Sequence, residues 1–238
     1  MWERTVDGRI LNFHLAGINN QNFIMRDEET GTWWQQVSGK GIQGPLKGKQ
    51  LVPVYNDEVS FAVWRAENPS TRVLKPDAKF EAEYASADWE TEIARMRTVG
   101  KADPNDTLTP RSLVIGLAIN GASRAYPEET IKKERLIVDS PGGVPLFIVT
   151  AADGKSIRAF KSNVDGRQLE FFIEPRQDPP VMVDSETGSK WSFAGTAISG
   201  PLTGKRLERV TILKDFWFDW KNYHPQTTVF NPGLEKTP

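Results

Sequence analysis

Residues 6–51 carry three motifs, V-D-G-R at 6–9, D-E-E-T-G-T-W-W at 27–34 and G-K-G-I-Q-G-P-L-K-G-K-Q-L at 39–51. Residues 164–207 carry the same series as V-D-G-R at 164–167, D-S-E-T-G-S-K-W at 184–191 and G-T-A-I-S-G-P-L-T-G-K-R-L at 195–207. The order is the same and the spacing is nearly the same. An ordered recurrence of this kind predicts two related structural units.

Local patterns within these units predict short antiparallel strands joined by tight turns. Asp7-Gly8 and Asn120-Gly121 suit the positive φ angles of two-residue hairpins. The adjacent Trp33 and Trp34 must point to opposite faces of a strand, so one of them is a candidate for exposure. Glycines, turn carboxylates and tryptophans kept in both series are typical of a shared scaffold rather than of a reactive site.

The fold predicted is mainly β (β-rich α+β), with two related units, each closed by a short helix, and a helical linker. The first unit is placed at 1–72, the linker at 73–112 with one helix at 86–101, and the second unit at 113–238. The second unit has a first strand and hairpin, from residue 113, before its V-D-G-R, whereas only five residues precede the first V-D-G-R. The first unit therefore looks N-terminally incomplete. Either this chain is the C-terminal part of a longer protein, or the gap leaves a sheet edge that another chain can pair with.

Composition restricts the classes of function. Thirty basic and thirty-one acidic residues are interspersed along the chain, which argues against nucleic-acid binding. The absence of cysteine removes disulfides, thiolate nucleophiles and Cys-ligated metals. No apolar run is long enough to predict a membrane span, and the first residues do not resemble a signal peptide, so localisation is left unassigned.

None of the sequence motifs that suggest a chemical function is complete. Residues 39–44 match G-x-G-x-x-G, but Pro45 stands where the dinucleotide fingerprint needs a helix to begin. His14 and His224 are the only histidines and are far apart in sequence, without the clustering that a metal site needs. The sequence therefore predicts no catalytic residue, no cofactor and no metal site.

One polar cluster has no counterpart in the second series. It consists of amides followed by tryptophans and a further amide, namely Asn19, Asn20, Asn22, Trp33, Trp34 and Gln35. Amides beside an exposed indole suit the binding of a neutral polar ligand such as a sugar or a peptide backbone. The alternative is that these amides only cap strand ends and fill a surface loop.

The combination of motifs resembles a bacterial family known as domain of unknown function 3179. The resemblance rests on residues 6–9, 23–36 and 42–48 in the first unit. In the second unit it rests on residues 114–116, 120–121, 124–127, 142–145 and 216–218, with His224-Pro225. It implies two tandem members in this chain, the second more complete than the first.

The resemblance also implies a redox alternative. Many members of that family have Cys-x-x-Cys, sometimes with selenocysteine, shortly before V-D-G-R, and members are frequently exported. Residues 150–156 stand at that place in the second unit and contain no sulfur. The sequence favours a non-catalytic binding or structural module of a larger bacterial protein. The alternative is a thiol or selenol redox-associated domain whose Cys-x-x-Cys lies in a missing N-terminal part.

Overall fold

A computed structural model describes residues 1–19, 22–98, 103–175 and 177–233. Contacts divide the chain into two compact units. The first unit is Met1–Asn56 with Thr98–Asp106, and the second unit is Asp57–Arg97 with Thr107–Pro238. The described parts of both units are built largely from short antiparallel strands, and the helices are few and short, which confirms the predicted β-rich fold.

The first unit contains one hairpin and one four-stranded sheet. The hairpin is β1 (Thr5–Val6) and β2 (Arg9–Ile10), and the sheet is β3 (Phe13–Asn19), β4 (Asn22–Asp27), β5 (Trp33–Gln35) and β6 (Lys40–Gln43), paired in chain order. Asp7 and Gly8 both have positive φ in the predicted hairpin turn. Val6, Leu11, Trp34 and Leu51 form the buried core of the unit. We call β3–β6 the first sheet.

The second unit holds the remaining elements. Its helices are α1 (Phe61–Glu67), α2 (Trp89–Arg95), α3 (Glu128–Glu134) and α4 (Trp217–Tyr223), with 3-10 turns at Ala78–Glu83 and Pro141–Gly143. Its strands are β7 (Leu113–Ile119), β8 (Ala122–Pro127), β9 (Leu136–Asp139), β10 (Leu146–Thr150), β11 (Ile157–Lys161), β12 (Asn163–Val164), β13 (Arg167–Gln168), β14 (Phe171–Ile173), β15 (Met182–Asp184), β16 (Lys190–Trp191), β17 (Ala197–Ser199), β18 (Arg209–Val210), β19 (Leu213–Phe216) and β20 (Thr228–Val229).

Three four-stranded sheets organise the described part of the second unit. Their strand orders are β19-β7-β8-β20, β18-β11-β10-β9 and β14-β15-β16-β17, and β12 with β13 forms a separate hairpin. We call β14–β17 the second sheet. The two central strands β10 and β11 bury side chains on both of their faces, so one apolar layer packs toward Phe171 and Trp191 and another toward Ile115 and Leu117.

Each of the two sheets has its own buried aspartate, which accepts hydrogen bonds from the turn that follows it. The Asp27 carboxylate accepts hydrogen bonds from the Trp34 Nε1 at 2.8 Å and from the Thr30 backbone N at 2.6 Å. In the second sheet the Asp184 carboxylate accepts from the Trp191 Nε1 at 2.8 Å and from the Thr187 backbone N at 2.7 Å. These contacts explain why the Asp, Thr and Trp of both motifs are spaced alike.

Helix α1 forms where the sequence predicts a helix, but it belongs to the second unit rather than closing the first. Ser60 caps it by accepting from the Val63 backbone N. Val63 is buried with Phe147 and Phe160 of the second unit, and the contact boundary lies between Asn56 and Asp57. The physical reason is that the apolar side of α1 packs on this core. Local periodicity predicts a helix with an apolar side, but it does not identify the core on which that side packs.

The linker helix is shorter than predicted. α2 ends at Arg95, and Met96 has the extended angles φ −61° and ψ 147°. Trp89 and Met96 are both exposed. Residues 99–102 at the end of that prediction lie outside the described residues. Within the described ranges, no helix is both long enough and apolar enough to cross a membrane.

Candidate functional site

Four of the six residues of the predicted amide cluster lie on one face of the first sheet. Asn19 lies directly opposite Asn22, and Gln35 lies opposite Ile24, which is two residues along β4 from Asn22. Trp33 is two residues before Gln35 on β5. Directly opposed residues share a face, and so do alternate residues of one strand. Asn19, Asn22, Trp33 and Gln35 therefore project to the same side, and we call them the amide–indole surface.

The indole of Trp33 spans the middle of this face. Its Cζ3 atom lies 3.9 Å from the position that a Cβ atom on Gly17 would take, two strands away on β3. The ring therefore crosses β4 next to Ile24, which is buried. Trp33 itself is half-buried and presents the rest of its ring to solvent. The result is an apolar platform flanked by amides.

The amides are partly fixed in position. Gln35 Oε1 accepts a hydrogen bond from Ser38 Oγ at 2.5 Å, and within the described residues nothing accepts from its Nε2. Asn19 is exposed and Asn22 is half-buried. Asn20, the remaining predicted amide, lies outside the described residues. The surface therefore offers an oriented amide donor beside an aromatic ring.

Trp34 belongs to the core, in contrast to its predicted place in the site. It is fully buried, and its ring meets that of Phe13 edge-on at 6.0 Å. Burial by itself would raise the pKa of Asp27, but hydrogen bonds from Trp34 and Thr30 outweigh it and hold this pKa below its ordinary value. The Trp34 Nε1 therefore already donates to a charged carboxylate, and this side chain is not accessible to a ligand.

The matching face of the second sheet has different chemistry. Lys190 takes the place of Trp33, because Lys190 precedes Trp191 as Trp33 precedes Trp34, and the strand pairing agrees. The Lys190 Nζ lies 2.7 Å from Glu174 Oε1. An ion pair thus replaces the indole platform. The amide–indole surface is a property of the first sheet.

A second cluster, which the sequence analysis missed, surrounds the start of α4. Asp219 is buried in α4, and Asp215 lies in β19 opposite Val114. Burial, and then the nearby charge of Asp219, raises the pKa of Asp215 to about 7. Burial and both carboxylates also raise the pKa of Tyr223. The only sequence signal was a pair of aspartates four residues apart among aromatic residues.

The surroundings of this acidic pair are aromatic and include one cation. The Arg111 guanidinium lies 4.8 Å from the centroid of the Phe216 ring and 5.0 Å from that of Phe218. Burial lowers the pKa of Arg111, and attraction to Asp219 opposes this effect. A carboxyl group that titrates near neutral pH can exchange protons. Within the described residues, no group of three or more His, Asp or Glu side chains is arranged to hold a metal ion.

The acidic pair predicts a pH dependence of stability. The folded-state pKa of Asp215 exceeds its ordinary value of 3.8, so the folded state holds the proton more tightly than the unfolded state. This contribution is complete below pH 3.8 and is lost as the pH rises to about 7. Asp215→Asn should therefore raise the free energy of unfolding at pH 8 by up to about 4 kcal/mol and have little effect at pH 4.

Urea unfolding at pH 4, 6 and 8 measures this difference. Asp88→Asn is the control, because Asp88 precedes α2 without a side-chain hydrogen bond to the helix. Asp219→Asn removes the neighbouring charge and should lower the pKa of Asp215, so the fall in stability moves to lower pH. Equal pH profiles for wild type and Asp215→Asn would contradict the assignment.

Comparison with known proteins identifies a family but not an activity. Neither a search of curated proteins nor a search of solved structures found a match. A family model described as "Protein of unknown function (DUF3179)" matches residues 1–227. Because this match covers nearly the whole chain, the chain belongs to the DUF3179 family of proteins of unknown function.

Proposed function

We propose that this chain is a non-catalytic binding module whose amide–indole surface binds a neutral polar ligand, either a sugar or a peptide backbone. The observation that carries the proposal is the register of the first sheet, which brings Asn19, Asn22 and Gln35 to the same face as Trp33. These residues come from three strands. A cluster formed only to cap strand ends would not need a half-buried indole between its members.

The chemistry of the surface favours an uncharged ligand. Amide groups both donate and accept hydrogen bonds, so they match hydroxyl and peptide groups without requiring a charge. The face of an indole packs against the C–H face of a sugar ring or against a peptide plane. Arg26 lies opposite Trp33 and therefore shares its face. Its Nε donates to the Gly31 carbonyl oxygen at 3.2 Å, so this cation is bonded to the turn between β4 and β5.

We further propose that the two sheets are tandem copies of one unit within a larger bacterial protein. The matching hydrogen bonds of Asp27 and Asp184 support this, and so do two tryptophan contacts outside the sheets. Trp64 Nε1 donates to Thr71 Oγ1 at 2.9 Å, and Trp220 Nε1 donates to Thr227 Oγ1 at 2.8 Å. A shared scaffold with only one amide–indole surface is what divergence after duplication would produce.

The redox alternative concerns residues outside this chain. The chain has no cysteine, so a thiol or selenol pair would have to be supplied by another segment or protein. No observation in the described residues favours this alternative over binding. We therefore assign the proposed binding of a neutral polar ligand to the amide–indole surface.

Replacing Trp33 by alanine tests the proposal. Cellotriose, chitotriose and a blocked neutral tripeptide serve as probes in saturation-transfer NMR and calorimetry. We expect one of these probe classes to bind, and Trp33→Ala should weaken binding about tenfold because the stacking contact is worth roughly 1.5 kcal/mol. Phe172→Ala is the control, since Phe172 is an exposed aromatic residue of the second sheet. Failure of every probe to bind, or equal binding by the Trp33 variant, would contradict the proposal.

A further inference from the structure

The indole of Trp33 lies down on the first sheet instead of standing away from it. Gly17 on β3 is two strands from Trp33, which is a distance of about 10 Å across the sheet. The Trp33 Cζ3 atom nevertheless lies 3.9 Å from the place that a Cβ atom on Gly17 would take. The ring therefore covers Ile24, which is 4% exposed. Because Trp33 is only half-buried, its other ring face is open to solvent.

Gly17 keeps this aromatic platform low on the sheet. Its φ angle lies outside the positive range that favours glycine, so the backbone of β3 accepts a side chain here. A Cβ atom alone would be in ordinary contact with the Trp33 ring, and the methyl groups of a valine would compete with the ring for space. The missing side chain of Gly17 thus provides the room in which the indole lies flat.

Gln43 adds an amide beside the platform. It lies directly opposite Trp33 on β6 and is exposed. Gln35 lies two residues along β5 from Trp33. Amides therefore border the indole on two sides, one across the sheet and one along the strand. In the second sheet Ser199 takes the place of Gln43, opposite Lys190, so this amide is also a property of the first sheet.

The openness of this face belongs to the sheet itself. In the second unit the strands β7–β11 precede the matching hairpin and sheet. Phe172, Val183 and Lys190 lie opposite one another across the matching face, and Phe172 is still 53% exposed. The strands that precede the second sheet do not cover this face, so a platform at the same place in the first sheet is open to a ligand.

A peptide would find few partners on this face. Backbone hydrogen bonds of a sheet run between its strands, so the face presents side chains alone. Peptides that pair with a sheet use an unpaired edge strand. The outer edge of β6, beside Gln43, is occupied, because the Gly41 backbone N donates to the Lys49 carbonyl oxygen at 2.9 Å and the Gly41 carbonyl oxygen accepts from the Gly48 backbone N at 2.8 Å. The face therefore suits a ligand that is recognised through a ring and hydroxyl groups.

A pyranose ring matches this arrangement. When its hydroxyl groups are equatorial, they point outward around the ring, and both ring faces carry C–H groups. One such face can cover an indole, while the outward hydroxyls meet amides that both donate and accept hydrogen bonds. The backbones at Trp33 and Gln43 are one strand spacing apart, about 4.8 Å, which is close to the width of such a ring.

We propose that the ligand of the amide–indole surface is a saccharide whose pyranose ring stacks on Trp33 and whose equatorial hydroxyls bind Gln35 and Gln43. The saccharide is one of the two ligand classes of the proposed function, on which this assignment rests. Two further residues thereby join the site. Gly17 positions the indole, and Gln43 binds hydroxyl groups at the edge of the sugar ring.

Cellotriose and sorbitol test the stacked ring. Both carry hydroxyl groups, but sorbitol has no ring face, and the binding of each to the full chain is measured by calorimetry. We expect cellotriose to bind, whereas sorbitol and the blocked neutral tripeptide do not. Saturation-transfer NMR should show the strongest effect on the C–H protons of a single ring face, because that face contacts the indole.

Two variants test the added residues. Gln43→Ala should weaken cellotriose binding about fivefold through a lost hydrogen bond. Gly17→Val should weaken it by at least about fivefold with Trp33 still present, because the added methyl groups displace the ring. Ser199→Ala, the change at the matching position of the second sheet, should bind as wild type does. Circular dichroism checks that each variant is folded.

The possible results separate this assignment from the proposed function. Trp33-dependent binding of the tripeptide, without binding of cellotriose or chitotriose, would overturn the choice of a saccharide and leave the proposed function standing. Binding of no probe would overturn both. Equal binding of sorbitol and cellotriose would overturn the stacked ring. Equal cellotriose affinity for wild type, Gln43→Ala and Gly17→Val would overturn the assigned residues.

Discussion

Trp191→Ala is expected to lower the free energy of unfolding of the second unit by about 4–5 kcal/mol. Trp191 is fully buried, and its ring meets that of Phe171 edge-on at 5.8 Å. Its removal leaves a large cavity in the core. It also removes the Nε1 donor from the Asp184 carboxylate, which is itself buried. The cavity and the lost hydrogen bond act in the same direction, and urea unfolding followed by circular dichroism measures their sum.

Trp191→Phe separates the two effects. Phenylalanine keeps most of the ring volume and lacks the N–H, so the expected loss is about 2 kcal/mol, mainly from the carboxylate that loses its donor. Trp34→Ala in the first unit should cost about 3 kcal/mol, because its neighbours Phe13 and Met25 are only partly buried. A loss below about 1 kcal/mol for Trp191→Ala would show that this tryptophan does not support the core.

Arg158→Met is expected to lower the free energy of unfolding by about 3–5 kcal/mol. The side chain of Arg158 is 1% exposed, and its guanidinium lies 2.7 Å from Asp57 Oδ2 and 2.6 Å from Glu67 Oε1. It also lies 4.7 Å from the centroid of the Phe193 ring. Removing the cation leaves two partly buried carboxylates without their shared partner. Arg209, at 3.0 Å from Asp57, compensates for only one of them.

Removing the charges together provides the sharpest control. The triple variant Arg158→Met, Asp57→Asn, Glu67→Gln should recover much of the loss, because the uncompensated charges are then gone. Arg206→Met, at an exposed arginine that forms no ion pair within the described residues, should change stability by less than about 0.5 kcal/mol. If Arg158→Met is no more harmful than Arg206→Met in urea unfolding, the buried ion pairs do not stabilise the unit.

Much of the local structure follows from short sequence patterns. Asp7-Gly8 and Asn120-Gly121 turn where two-residue hairpins are predicted, because both residues of each pair adopt positive φ. Adjacent Trp33 and Trp34 point to opposite faces, as the strand period requires. These features depend only on neighbouring residues, so one sequence suffices to predict them.

Features that depend on distant residues were not predicted. Arg158 lies in a strand but is buried. Its charge is neutralised by Asp57 and Glu67, which precede it in the chain by 101 and 91 residues. The perturbed carboxyl of Asp215 depends in the same way on burial and on Asp219 after folding. Local patterns also could not show that α1 packs in the second unit, because the apolar side of a helix is compatible with the core of either unit. The ligand of the amide–indole surface remains a prediction.

The buried ion pairs of Arg158 have a consequence for biosynthesis. Asp57 precedes Arg158 by 101 residues. At a translation rate of roughly 5–20 residues per second, the ribosome makes this carboxylate about 5–20 s before the arginine that it pairs with. The meander of β3–β6 needs only neighbouring strands and can form during that interval. Helix α1, which carries the second carboxylate Glu67, cannot complete its ion pair until β11 has emerged.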